Sequence, residues 1–217
     1  MITEIKLLIN SKYPLTHKEN REFEELKVKG LNFNIKGYEA KGLGHVGIMQ
    51  AKGFWGLMKM ETVIINPIDM DMPLFSYDRI YAMGNDTNLL ELYDTQIEKT
   101  ELAEFDSLLE KSKKYPPKDL GEHWYDYLQL PQTITVKGKK DLTDEFDTLV
   151  EEYFETFLKI SETAKKVEDK AAKCKKTCEY VDGLLNNGGA STDVFVKAIG
   201  KEKTTRLFHE VLFGVGE

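Results

Sequence analysis

GLMKMETVIINPIDMDMPLFSYDRIYAMGNDTNLLELYD, residues 56–94, alternates apolar and polar side chains with the period of two that marks β-strands. In GLMKMETVIIN, Lys59, Glu61, Val63 and Ile65 share one face, and Met58, Met60, Thr62 and Ile64 share the other. PLFSYDRIYAM reads as a second strand, GNDTN as a hairpin turn and LLELYD as a third strand, so the three predict a consecutive antiparallel meander. Asp78 falls in the middle of the second strand. Aspartate is disfavoured in strands, and a buried carboxylate without a partner is costly. Asp78 therefore faces either water or a pocket in which it has a role.

Outward from this stretch, LNFNIKGYEAKGLGHVGIMQAKGFW mixes alternation with glycines, as strands and turns do. Residues 2–26 read as helix, broken at Pro14, with Thr16 a possible cap. From Glu98 the period becomes helical: EKTELAEFDSLLEKSKKY is stopped by Pro116 and Pro117, and EHWYDYLQLPQTITV passes from a short helix into an extended piece. Residues 142–185 predict one long helix, capped by Thr143, with Phe146, Leu149, Tyr153, Phe157 and Ile160 on its buried stripe. NNGGAST breaks the chain before two short terminal helices. Strands in a block followed by helices indicate an α+β fold, with helices covering an antiparallel sheet. No repeat or linker divides residues 1–217, which predicts one domain.

Composition narrows the function classes. With 41% hydrophobic and 31% charged residues, the 217-residue chain is globular and long enough for a core without disulfides or metals. No apolar run spans a bilayer and the first residues lack a cleavable signal pattern, so a cytoplasmic protein with reduced Cys174 and Cys178 is expected, with no membrane partner. The net charge of −7 argues against nucleic acid as a partner. Only Arg21, Arg79 and Arg206 are arginines, too few for a multidentate phosphate clamp.

Familiar motifs fail. Cys174 and Cys178 lie one helical turn apart with no further soft ligand near, so no metal site is expected. His17, His45, His123 and His209 are isolated, GLGHVG and NNGGA read as turns, and the lysine runs read as solvated faces. Glu61 and Asp78 remain. If their strands pair around NPIDMDMP, both carboxylates can point to one side of the sheet. Two carboxylates facing an apolar cavity repel, which raises at least one pKa and holds a proton near neutrality. Alternatively both face water, or pair with Lys59 and Arg79.

The order of motifs resembles that of the ferredoxin-dependent bilin reductases, with red chlorophyll catabolite reductase a more distant relative. DMPLFSYD of Asp71–Asp78 is similar to the family's D-x-P-x-F-x-x-D, and EHWYDYLQLPQTITV to its E-W-x-x-F-S segment and the extended piece after it. FVKAIGKEKTTRLFHEVLFGVGE resembles its LxKAFGExWAxRYxxxVLFD terminus. The similarity is colinear from about His45 to the C-terminus.

The resemblance implies a three-layer α/β/α sandwich with a linear tetrapyrrole between the sheet and the C-terminal helices. It implies an oxidoreductase that reduces biliverdin or a related bilin, with no bound cofactor and with single electrons from ferredoxin or flavodoxin. The protein then holds the bilin and supplies protons to radical intermediates. Asp78 matches the family's central catalytic aspartate. Glu61 falls where members carry a catalytic histidine, and Met49 where they carry a glutamate. Asn187 is nearest to an Asp or Asn that members place against the bilin, and Val63 lies on the strand lining the site. Docking of acidic ferredoxin needs a positive patch, for which Lys137–Lys140 and the lysines of KSKKY are candidates. A non-catalytic tetrapyrrole carrier is the competing function.

Overall fold

The computed structural model describes residues 1–100 and 102–216. Eight strands form one antiparallel sheet: β1 (Leu15–Lys18), β2 (Glu25–Val28), β3 (Leu31–Ala40), β4 (Gly44–Gly53), β5 (Met58–Asn66), β6 (Leu74–Ala82), β7 (Asn85–Tyr93) and β8 (Ile134–Lys139). The order is β1-β3-β4-β5-β6-β7-β8, with β2 pairing to β3 beyond β1. Helices cover both faces, giving the three-layer α+β sandwich.

Alternation sorts β5–β7 into two cores. One face presents Val63, Ile65, Phe75, Tyr77, Leu90 and Leu92 to helix α4 (Thr143–Thr163), whose Phe146, Leu149, Tyr153, Phe154 and Phe157 complete a buried cluster. Phe75 meets the rings of Tyr153, Phe154 and Phe157 at centroid distances of 5.2, 4.7 and 5.1 Å. Rings of this size bury enough apolar surface that truncating Phe154 to Ala costs about 3–5 kcal/mol. Helix α1 (Ile2–Lys12) extends this layer through Ile2, Ile5 and Ile9, and the short helices α2 (Arg21–Glu24) and α3 (Asp106–Ser112) precede β2 and β8. The opposite face carries Met49, Ile64, Leu74 and Tyr93 under α5 (Lys170–Asn187), α6 (Ala190–Ile199) and a π-helical turn, Leu207–Phe213. A β-carbon on Gly47 would lie 2.2 Å from the Leu212 carbonyl oxygen, so the absent side chain lets that turn lie directly on β4.

Three elements differ from the sequence expectation. The first helix ends at Lys12; Tyr13 is extended, and β1 and β2 then pair with opposite halves of β3. Pro14 stops the helix, and the ten-residue edge of β3 offers unpaired backbone groups that a free helix would leave empty. The hairpin turn is Met83–Gly84, with φ of +51° and +75°, and Asn85–Asn88 already belong to β7. The long C-terminal helix is two helices, because α4 and α5 cover opposite faces and the chain must cross the end of the sheet between them. Residues 164–169 run extended against the loop before β6: Asp71 N–H donates to the Lys165 carbonyl at 2.7 Å and Val167 N–H to that of Asp69 at 3.0 Å. Asp169 then caps α5 by accepting from Ala172 N–H at 2.9 Å. Thr143 is the first residue of α4, not its cap, and its hydroxyl donates to Asp86 at 3.2 Å.

Candidate functional site

Strand β6 carries Ser76, Asp78 and Ile80 on the α5 side, and β7 carries Leu89, Glu91 and Tyr93 there. Asp78 pairs with Leu89 and Ser76 with Glu91, so the two carboxylates are diagonal neighbours on one face. With Met49, Met60, Thr62 and Ile64 they floor a cavity of about 340 Å³. Its roof is Tyr180 and Leu184 of α5, Thr192 and Phe195 of α6, and Phe208, Leu212 and Phe213 of the terminal turn. Leu120, His123, Trp124 and Tyr125 close the β7 side.

The Asp78 carboxylate accepts from Thr62 Oγ1 at 2.5 Å and from Ser76 Oγ at 3.4 Å. No cation reaches it among the described residues. Burial raises its pKa, and the two hydroxyls pull the other way without cancelling the effect. Glu91, 6% exposed, accepts from Gln129 Nε2 at 3.0 Å. Burial pushes its carboxyl up to about 7, with the negative charge of Asp78 the second cause. Burial in one apolar slot thus raises both acids above the ordinary carboxylate range. One wall holds a further unspent donor, because the Trp124 indole N–H is buried and has no acceptor among the described residues. Its ring is seated against Gly183, where a β-carbon would approach within 2.1 Å.

The sequence-predicted residues divide. Asp78 and Met49 line the cavity. Glu61 does not: it lies opposite Arg79 in the β5–β6 register, on the α4 face, and receives the Gln50 amide at 3.4 Å. Antiparallel pairing sets Thr62, one residue later, opposite Asp78. Val63 is fully buried in the α4 core, also away from the cavity. Asn187 is exposed at the end of α5 and donates to the Gly183 carbonyl at 2.9 Å, while Gly188 and Gly189 reach the site instead. Glu91 was missed, although LLELY displays its signal, an acid in phase with Leu89 and Tyr93 and out of phase with the apolar Leu90 and Leu92.

Asp71, first residue of the DMPLFSYD motif, has a structural task. Its two carboxylate oxygens accept the N–H groups of Ile97 and Glu98, each at 2.8 Å. The buried Lys173 ammonium of α5 stands 3.6 Å away and donates to the Met72 carbonyl, which fixes the roof to the β6 end of the sheet. Burial lowers the Lys173 pKa to about 8. Cys174 and Cys178 are free thiols, raised in pKa by burial. No helix among the described residues is long and apolar enough to cross a membrane.

The structure of phytochromobilin synthase from tomato in complex with biliverdin is similar to this one, with a TM-score of 0.79 over 100% of this chain and 84% of that chain. Identity between the two is 14%, so the likeness is one of fold, the fold implied by the bilin reductase resemblance. No protein-family model matches the sequence, and no curated protein does.

Proposed function

We propose that the chain is an oxidoreductase that holds a linear tetrapyrrole, biliverdin or a related bilin, in the cavity between the sheet and the C-terminal helices. The carrying observation is the pair of partner-poor acids, Asp78 and Glu91, on the floor of one apolar cavity. Reducing one double bond consumes two electrons and two protons. Ferredoxin or flavodoxin supplies the electrons singly, and the two acids, both raised in pKa by burial, supply the protons. Met49 and the aromatic wall of Trp124, Tyr125 and Tyr180 exclude water from the intermediates, and the free Trp124 N–H suits a lactam carbonyl oxygen of the bilin. The biliverdin held by phytochromobilin synthase, a protein of like fold, supports the same substrate class here.

Electron-donor docking suits the β8 edge. The KSKKY lysines are committed elsewhere: Lys111 pairs with Glu152, Lys113 with Glu110 and Lys114 with Glu145. Lys137, Lys139 and Lys140 are exposed, and among the described residues the Lys139 ammonium donates to the neutral Asn85 amide, at 2.9 Å. A cytoplasmic setting keeps Cys174 and Cys178 reduced.

Anaerobic incubation with biliverdin and a ferredoxin-reducing system tests the proposal. A shifted visible spectrum on mixing, followed by bleaching into a reduced bilin, is expected. A shift without turnover identifies a carrier, and an unshifted spectrum removes the tetrapyrrole altogether.

A further inference from the structure

At the end of the sheet where β4 turns into β5 and β6 into β7, the chain exposes large apolar side chains on adjacent hairpin tips. Trp55 is 100% exposed, Met83 87%, Leu57 63% and Phe54 51%. The two tips are neighbours, because Met58 pairs with Ala82 and Met83 N–H donates to the Leu57 carbonyl. Phe54, Trp55 and Met83 all adopt positive φ, at +49°, +53° and +51°. Glycine relieves such backbone, and Gly56 and Gly84 follow in both turns, so non-glycine residues here are held outward against local strain. Neither core uses these four side chains.

One row behind the tips, the charge pattern also opposes stability. Lys52 lies directly opposite Lys59, on the α4 side of the strand pair, and both are exposed. Like charges in a direct cross-strand pair repel. Neither meets a carboxylate among the described residues, although the chain as a whole has a net charge of −7. Lys27 continues the row, opposite Asn32, which is itself opposite Lys52.

We propose that this edge docks on an anionic lipid surface. Trp55, Phe54, Leu57 and Met83 insert at the headgroup level, and Lys27, Lys52 and Lys59 meet lipid phosphates just above. The features favour a bilayer over an acidic protein. Separate projecting crests sink into lipid independently, whereas a folded partner needs a matching hollow for each. The lysines stand behind the crests, at the height of the headgroups once the apolar side chains are immersed. Met60 and Ile80 of the cavity, paired across β5 and β6, lie three residues from Leu57 and Met83 of the tips, so docking brings the cavity towards the bilayer.

The test uses the whole chain with vesicles of phosphatidylcholine containing about 30 mol % phosphatidylserine. The protein sediments with these vesicles and not with pure phosphatidylcholine, and raising salt from about 0.05 M to about 0.5 M releases it. Trp55→Ser lowers the vesicle association constant tenfold or more, and Lys52→Glu/Lys59→Glu does the same. Both variants keep the wild-type melting temperature and biliverdin spectrum, which separates this proposal from the function of the cavity. Trp124→Phe leaves Trp55 the only tryptophan, and its emission moves to the blue on vesicle binding. Absence of sedimentation, an unmoved Trp55 emission, or full binding by Trp55→Ser overturns the proposal. Capture of reduced ferredoxin through Trp55 without vesicle binding also overturns it.

Discussion

On the α4 side of β6, Arg79 is gripped by two carboxylates; on the other side, one residue earlier, Asp78 meets no cation among the described residues. Arg79 meets Asp86 through Nε at 2.9 Å and Nη2 at 2.5 Å, and Asp147 through Nη1 at 2.5 Å. Asn88 and Thr143 donate the remaining bonds to Asp86, at 3.1 and 3.2 Å, and Tyr77 hydroxyl donates to Asn88 at 3.2 Å. The buried members of that network, Arg79, Asp86, Asn88 and Tyr77, are all partnered within the fold. Across the sheet the same strands bury Asp78 and Glu91 beside a cavity, with hydroxyls and one amide as partners. A buried charge that the fold pairs is architecture. A buried acid that the fold leaves protonatable beside a cavity is poised for chemistry.

The largest expected effect breaks the paired face. Arg79→Met leaves Asp86, fully buried, without its cation and should lower unfolding stability by about 3–5 kcal/mol in urea titrations. Asp86→Leu in the same chain should recover most of that loss; a double variant as weak as the single one would show that the network is not a self-contained charge pair. Asp78→Asn makes the opposite demonstration. It should hold or raise stability and keep biliverdin binding, while turnover falls about 10²–10⁴-fold. Wild-type turnover would take Asp78 out of the mechanism, and a stability loss like that of Arg79→Met would erase the contrast between the faces.

How much of this could be read from sequence follows from which interactions are local. The meander, the two-face sorting of β5 and the buried stripe of α4 are periodicities, and all stand in the structure. The pair expected in one slot is Glu61 with Asp78; the structure sets Glu91, not Glu61, beside Asp78 at the cavity. Period two places Glu61 in phase with Lys59 and Val63, but the partner strand's phase depends on the loop between them. The pairing of Thr62 with Asp78 puts Glu61 on the wrong side, and no local pattern discloses that register. Glu91 was legible from LLELY once β7 was known to be adjacent to β6 on its far side. Trp124 and the break at residues 164–169 depend on long-range packing, which a helical period does not encode.

Glu91 gives the contrast a pH signature. Its carboxyl is near 7 in the fold and 4.5 in the reference state, so the folded chain keeps a proton that the unfolded chain releases between those values. Stability therefore falls as pH rises from about 4.5 to about 7, and the full penalty, up to about 3 kcal/mol, applies above that. Glu91→Gln should be stabilising at pH 8 and neutral at pH 4, by thermal denaturation at both. The same substitution should remove an alkaline limb near pH 7 from the turnover profile. Asp78→Asn should lower the Glu91 pKa part-way, since the Asp78 charge is one of its causes. A gain equal at both pH values would mean that Glu91 is not the titrating acid.

The smallest expected effect sharpens the comparison most. Glu61 and Asp78 lie on paired strands, and both are acids that sequence alone marks as awkward in a sheet. They differ in the face they serve. Glu61 borders Gln50 and Arg79, and no atom of it lines the cavity. Glu61→Gln preserves shape and the Gln50 contact while deleting the charge, so stability should move by no more than about 0.5 kcal/mol. Turnover and the biliverdin spectrum should stay at wild-type values, in contrast to the fall in turnover expected for Asp78→Asn. A large fall in turnover for Glu61→Gln with an intact binding spectrum would mean that protons reach the bilin through the sheet from the α4 side. The division of labour between the two faces would then be wrong where it is most specific.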